Sequence, residues 1–276
     1  MSPQHETIIT PNKSVQDFWR ELWDYRDLFY FLAWRDLKVR YKQTVIGVAW
    51  AVLRPLTTML VFTVLFSRIA KLPTEGAAPY PVLVFAAMLP WQFFASCLQD
   101  SSQSLVNNAN MLSKVYFPRI IIPVSTMFVN AVDFLISLAI LFALMALQHF
   151  TPTAKLLWMP LFFAQAALAA IGAGLWLAAL NVSYRDFRYV VPFVLQLGLY
   201  VSPVGFSSRL VPEDWRLAYA LNPMVGVIDG FRWSLLDDTV TLDGPTFQIS
   251  LAVTVLLFAS GLRHFQKVER RFADVI

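Results

Sequence analysis

Apolar residues collect into six stretches separated by polar, charged and aromatic segments: Val45–Phe66, Tyr80–Leu98, Ile120–Leu147, Leu156–Leu180, Val190–Val204 and Phe247–Leu262. A helix needs roughly 20 apolar residues to cross a bilayer core about 30 Å thick, and most of these stretches approach or exceed that length. The fifth and sixth are shorter, so their helices are expected to run into the flanking residues. The pattern predicts an all-α integral membrane protein with six transmembrane helices. Residues 1–44 form a polar and aromatic arm ahead of a six-helix membrane domain spanning 45–276.

The arm has its own periodicity. Ser14 followed by Asp17 has the spacing of a helix start, where hydroxyl and carboxylate satisfy free N–H groups. Beyond it Phe18, Leu22, Tyr25, Phe29 and Leu32 recur at helical spacing and make one apolar face. Trp19, Trp23, Tyr30 and Trp34 add amphipathic rings of the kind that sit at headgroup depth. These residues predict an interface helix, either a plain membrane anchor or one that also touches a cytoplasmic partner. With no apolar core in the arm, no cleaved signal peptide is expected.

The connection between the last two stretches, Phe206 to Phe247, is too apolar for a loop. Trp215 through Leu221 run into Asn222-Pro223, and Met224 through Leu236 follow with Gly226 and Gly230 between them. Two short re-entrant helices broken at Asn222-Pro223 are expected there. Irregular backbone at membrane depth is tolerated only where protein or a wet cavity covers it.

Composition narrows the function. The 276 residues are 57% hydrophobic and 14% charged, against about 25% charged in soluble domains. The single cysteine, Cys97, excludes an intrachain disulfide and a multi-cysteine metal site. His5, His149 and His264 fall outside or at the ends of the apolar stretches, so no haem or serine–histidine chemistry is expected within them. Glu213, Asp214, Asp229, Asp237, Asp238 and Asp243 gather in the connection before the last stretch, where they read as a solvated rim rather than a catalytic or metal site.

Charge sets the orientation. Lys13, Arg20, Arg26, Arg35, Lys38, Arg40 and Lys42 crowd the arm, and Arg263, Lys267, Arg270 and Arg271 the tail. Lys114, Arg119, Arg185 and Arg188 occupy two alternate loops on the same side. Positive loops stay inside, so both termini are expected in the cytoplasm. Juxtamembrane basic residues are the norm, and no nucleic-acid partner is expected.

Charges inside the spans are few. Arg54-Pro55 interrupts the first stretch, and Asp133 lies one turn from Asn130 in the third. Such groups face a bundle interior or a wet cavity. Polar glue between helices, a path-lining cation at Arg54 and an internal Arg54–Asp133 pair are all compatible with the sequence. On the cytoplasmic side, Asn107-Asn108-Ala109-Asn110 leads to Met111, Leu112 and Val115, which predict a short helix presenting an exposed apolar knob.

Several motifs, in this order, resemble one family. They are Trp34-Arg35-Asp36-Leu37-Lys38-Val39-Arg40-Tyr41 leading to Gly47-Val48-Ala49-Trp50 and Leu53-Arg54-Pro55; Leu89-Pro90-Trp91; Lys114-Val115-Tyr116-Phe117-Pro118-Arg119; Asn181-Val182-Ser183-Tyr184-Arg185-Asp186; and Leu221-Asn222-Pro223-Met224. The chain is similar, from about Leu22 to Lys267, to the membrane subunits of ABC exporters of lipid-linked polysaccharides, the Wzm and TagG type. The resemblance implies a non-catalytic permease in the inner membrane, working as a homodimer with two copies of a separate ATPase. That ATPase would bind ATP and Mg, since this chain has no G-x-x-x-x-G-K-[ST] loop to cradle phosphates.

The resemblance also implies site roles. ATPase coupling falls to Trp23, Arg26, Asn110, Met111, Lys114, Val115, Tyr116, Arg119, Tyr184 and Arg185. The broken helices around Trp215, Asn222, Pro223, Met224 and Phe231 would form an outer gate. Polysaccharide needs a wide, sequence-tolerant path, and aromatic rings pack on sugar C–H faces without fixing each hydroxyl. Trp50, Phe62, Phe85, Trp91, Phe93, Phe94, Tyr200 and Phe206, with Arg54, are the candidate lining. The rivals are an ion-coupled secondary transporter, which needs more deep ionisable groups, and a membrane enzyme acting on a lipid-linked sugar, which needs clustered carboxylates.

Overall fold

The computed structural model describes residues 20, 22–42, 45–71, 78–184, 186–236 and 240–269, with the side chains of 45–51 and 54 not included. Ser14, Asp17, Phe18, Trp19 and Arg185 therefore lie outside the described residues. Every regular element within them is helical. Without water to pair N–H and C=O groups, an apolar segment satisfies its backbone internally, and the helix does this within one segment.

In chain order the helices are α1 (Arg26–Lys42), α2 (Val45–Phe62), α3 (Tyr80–Asn107), α4 (Ala109–Leu112), α5 (Ile121–Leu147), α6 (Met159–Ser183), α7 (Phe187–Val201), α8 (Glu213–Tyr219), α9 (Pro223–Leu235) and α10 (Gly244–Glu269). α2 continues through Pro55 and then as a π-helix over Thr63–Ile69. A 3₁₀ turn, Ala154–Trp158, leads into α6.

All six apolar stretches fall on helices, but only four helices are long and apolar enough to cross a membrane: Tyr80–Asn107, Ile121–Leu147, Ala154–Ser183 and Gly244–Glu269. The expected count of six is not reached on length among the described residues. α7 has only 15 residues, because the chain turns at Ser202-Pro203 instead of continuing to Val204.

α3 is the axis of the bundle. Every residue from Val82 to Trp91 is buried, against α5, α6, α7 and α9 in turn. α6 closes on α10 through glycines: a Cβ on Gly261 would lie 2.2 Å from the Gly172 carbonyl oxygen. Gly174 similarly meets Ser101 of α3, and the Asn181 amide donates to the Ser102 carbonyl at 2.8 Å. Small residues let helices approach where the hydrophobic effect offers no preference for protein over lipid.

Two apolar clusters result. The larger fills the bundle around α3. The smaller sits where the first and last described residues meet, and contains Leu32, Leu105, Phe117, Ile121, Leu175 and Phe265. Leu22, Tyr25, Leu28 and Phe29 pack on it, so the apolar face predicted for the arm is seated on the bundle. Trp23, Tyr30 and Trp34 are exposed on the other faces.

The connection after α7 holds two short helices broken at Asn222-Pro223. The Asn222 side chain accepts from Met224 N–H at 3.0 Å and caps α9, with Pro223 at its first position. α9 is buried along most of its length, because Gly226 admits Ser250 of α10 and Gly230 admits the Phe162 ring.

A strap of backbone after α7 is fastened to these helices. Tyr219 donates to the Val201 carbonyl at 2.6 Å, and the Asn222 amide to Ser202 Oγ at 2.9 Å. Arg232, fully buried, donates to the carbonyls of Phe206 at 2.8 Å and Val204 at 3.1 Å. Tyr80 takes the carbonyl between them, Gly205, at 2.6 Å. Three consecutive carbonyls are thus turned inward.

Two substitutions test this packing. Gly261→Val should lower the thermal stability of the detergent-purified protein, by the 1–3 kcal/mol typical of overpacking, roughly. Gly244→Ala, where a Cβ meets nothing within 4 Å, should not. Arg232→Met strips donors from two buried carbonyls, at about 1–3 kcal/mol for a group left unsatisfied. Exposed Arg209→Met should stay within about 0.5 kcal/mol. Equal melting shifts for the two arginine variants would contradict the strap.

Candidate functional site

Between α2, α3, α5 and α7 lies a cavity of about 670 Å³. Its walls are more polar than an apolar bundle requires. α3 contributes Gln92, Ser96, Gln99 and Asp100 at i, i+4, i+7 and i+8, one face of the helix. α5 contributes Asn130, Asp133 and Ser137 at i, i+3 and i+7, α7 contributes Gln196, and α2 contributes Pro55 and Thr58. Amides, hydroxyls and carboxylates at this density offer many weak partners rather than one shaped pocket.

Arg40 and Tyr41, from the end of α1, close one part of the lining. Arg40 Nη1 donates to Asp133 Oδ2 at 2.8 Å and Asn130 Oδ1 at 3.0 Å, and Nη2 to Asp100 Oδ2 at 3.4 Å. Tyr41 donates its hydroxyl to Asp133 Oδ1. Burial first, and then that bond, hold the Tyr41 phenol above its ordinary range, so it stays a donor. The Asn130 amide bridges to Asp100 at 3.0 Å. Both oxygens of Asp133 are therefore taken by α1, and the partner that the sequence suggested, Arg54, has its side chain outside the described set.

The aromatic lining is narrower than expected. Of the aromatic residues expected there only Trp91 and Phe93 border the cavity, joined by Phe134 of α5. Trp91 is otherwise enclosed: its ring fills a notch at Gly198 of α7, where a Cβ would lie 2.6 Å from the ring edge. Phe93 packs with Phe134 and Phe163, at 5.8 and 4.8 Å between centroids. Phe85 is 1% exposed in the main core, and Phe94 packs beside Trp91 at 5.9 Å; neither borders the cavity. Tyr200 is exposed and does not border the cavity, although Gln196 one turn before it and Leu199 beside it do.

Phe62 is buried against Phe66, 5.5 Å away, and Phe206 presents its carbonyl to Arg232. Trp50 and Arg54 are helical, with side chains outside the described set. Asn130 and Asp133 of α5 were expected to face such a space, whereas Ser137 and the polar stripe of α3 were missed. The signal of that stripe is legible: Gln92, Ser96, Gln99 and Asp100 repeat at helical spacing inside an otherwise apolar run.

At the expected coupling face the structure separates exposed from packed residues. Trp23, Asn110, Lys114, Val115, Tyr116 and Tyr184 are exposed, and Arg26 lies 5.6 Å from the Trp23 ring. Met111 is not part of an exposed knob. It and Leu112 turn inward against the smaller cluster, because the single turn of α4 points that edge at the bundle. Arg119 is also engaged, donating its N–H at 2.8 Å and its guanidinium to Glu269 at the end of α10. In the expected gate, Trp215 is exposed, whereas Met224 and Phe231 are wholly buried, Phe231 edge-on to Phe134 at 5.9 Å.

Similar proteins carry informative names. The O-antigen export system permease protein RfbA of Klebsiella pneumoniae is 28% identical over 91% of this chain and 95% of its own length. Its namesake in Myxococcus xanthus is 28% identical over 93% and 98%. The polysialic acid transport protein KpsM of Escherichia coli is 21% identical over 85% and 91%. The family model described as ABC-2 type transporter matches residues 27–236, from α1 through α9, so this chain belongs to the ABC-2 type transporter family.

Proposed function

We propose that this chain is the membrane subunit of an ATP-driven exporter that moves a lipid-linked polysaccharide, O-antigen, teichoic acid or capsule in type, out across the inner membrane. The observation that carries the reading is the cavity: about 670 Å³ inside a family transport fold, lined by amides, hydroxyls and carboxylates with the rings of Tyr41, Trp91, Phe93 and Phe134 among them. Sugars offer hydroxyls on every face and C–H patches between them, and this lining can hold successive residues without selecting one.

In this reading the chain crosses six times. α2 with its π-helical extension and α7 join the four long helices as spans, and residues 1–44 form the cytoplasmic arm. Both termini lie inside, in keeping with the basic residues of the arm and tail. α8 and α9 re-enter from outside and form the gate. The cavity opens toward a second copy of the chain, and two such cavities facing each other make the path. Exposed apolar residues along α7, among them Tyr189, Phe193, Leu197 and Tyr200, support that arrangement.

Energy enters from two copies of a cytoplasmic ATPase that carry the ATP and Mg. Nucleotide-bound ATPases favour one arrangement of the dimer, and the exposed residues of α1 and the α4 turn receive that bias. The permease itself is not catalytic. An ion-coupled carrier remains the rival with a structural argument, since Asp100 and Asp133 both border the cavity.

The decisive experiment places this chain and its ATPase in cells lacking their own O-antigen permease. Surface polysaccharide should return, depend on the ATPase's phosphate-binding lysine, and persist when the proton and sodium gradients are collapsed in vesicles. Export driven by an ion gradient without ATP would overturn the reading. Within that assay Trp91→Ala should slow export about threefold to tenfold, the range of one aromatic contact, while changing ATP hydrolysis less. Val115→Asp should uncouple the two at the ATPase contact without disturbing packing, since Val115 is exposed. Parallel losses in export and hydrolysis for Trp91→Ala would assign it to packing alone.

A further inference from the structure

α1 has the build of a lever. Its middle is anchored where Leu32 and Ala33 are buried, and Arg35 ties it to Asn108 at the end of α3 at 3.1 Å. Its far end, about 12 Å along the helix from Leu32, delivers Arg40 and Tyr41 to the cavity wall. There two consecutive residues of one cytoplasmic helix occupy both oxygens of Asp133, and Arg40 also reaches Asp100. These acceptors sit on two helices, α3 and α5, that form separate walls.

The cluster is also built to come apart. The side chains of Arg40, Asp100 and Asp133 are 38, 35 and 32% exposed. Charges hydrated to that degree can part without being stranded in a dry interior, unlike a fully buried pair. Lys42 ends α1 and Val45 begins α2, so any withdrawal of Arg40 pulls on the third wall as well.

We propose that Arg40 and Tyr41 form a latch between the cytoplasmic helix and the cavity walls, released and remade in each transport cycle. They are positioning residues: they set the spacing of α3 and α5 at the cytoplasmic mouth according to where α1 stands. The proposal rests on the transport reading above, and adds the contact through which motion of the surface helix reaches the path.

The test uses the complete permease–ATPase complex in proteoliposomes, with export and ATP hydrolysis measured together. Arg40→Gln and Asp133→Asn should lower polysaccharide exported per ATP about tenfold, the size of an ordinary coupling free energy, with hydrolysis retained. Tyr41→Phe, which removes one hydrogen bond and little else, should lower it less. The exchange Arg40→Asp with Asp133→Arg should recover most of the loss. A spin label on Lys42→Cys, in a Cys97→Ser background, should become more mobile when nucleotide is trapped, and already be mobile in Arg40→Gln.

An unchanged ratio in Arg40→Gln and Tyr41→Phe overturns the latch. So does a label whose spectrum ignores both nucleotide and Arg40→Gln, or a loss of export that only follows loss of protein from the membrane. Wild-type export in the same vesicles separates the two ideas. If it is absent the transport reading falls and the latch with it, and if it is present the ratio and the label decide.

Discussion

A helix enclosed on all sides must place its polar groups where other polar groups or water await them, and α3 obeys this constraint most strictly. From Val82 to Ala87 it is sealed by apolar and small neighbours. Past Pro90 one face turns polar, with Gln92, Ser96, Gln99 and Asp100, and that face is where the bundle opens into the cavity. α6 packs along another flank of α3, with Gly174 against Ser101, and itself closes on α10 through Gly172 and Gly261. Cavity and core are two sides of the same helix.

The two ends of the bundle are held differently. After α7 the backbone carbonyls of 201, 204, 205 and 206 each receive a side-chain donor, two of them from a fully buried arginine. At the other end α1 is held by an apolar patch and by half-exposed charges. Buried hydrogen bonds to backbone resist rearrangement because each lost one strands a polar group. Half-hydrated ion pairs carry a smaller penalty. The end tied by the wholly buried Arg232 is therefore the stiffer, and the end tied by the partly exposed Arg40 cluster the more yielding.

Much of the architecture was legible in the chain. The six apolar stretches mark helices, the arm's apolar face packs where Leu22, Tyr25, Phe29 and Leu32 recur, and Asn222-Pro223 breaks the long connection into α8 and α9. Less legible was which side of a helix faces what. Phe85, Phe94 and Tyr200 have the composition of lining residues, yet helical rotation directs the first two into packing and the third outward. Composition does not encode rotation; a polar stripe does, and Gln92, Ser96, Gln99 and Asp100 supply one. The partner of Asp133 was not legible either. Sequence distance hides that α1 folds back beside α5, so an arginine more than ninety residues away takes the carboxylate.

Gly198 carries a last consequence. The indole of Trp91 rests in space that any side chain at 198 would occupy, and the same stretch of α7 borders the cavity through Gln196 and Leu199. Moving α7 away from α3 would enlarge the cavity and unseat the indole together. Cavity width and the seating of this ring therefore depend on the same contact between α3 and α7.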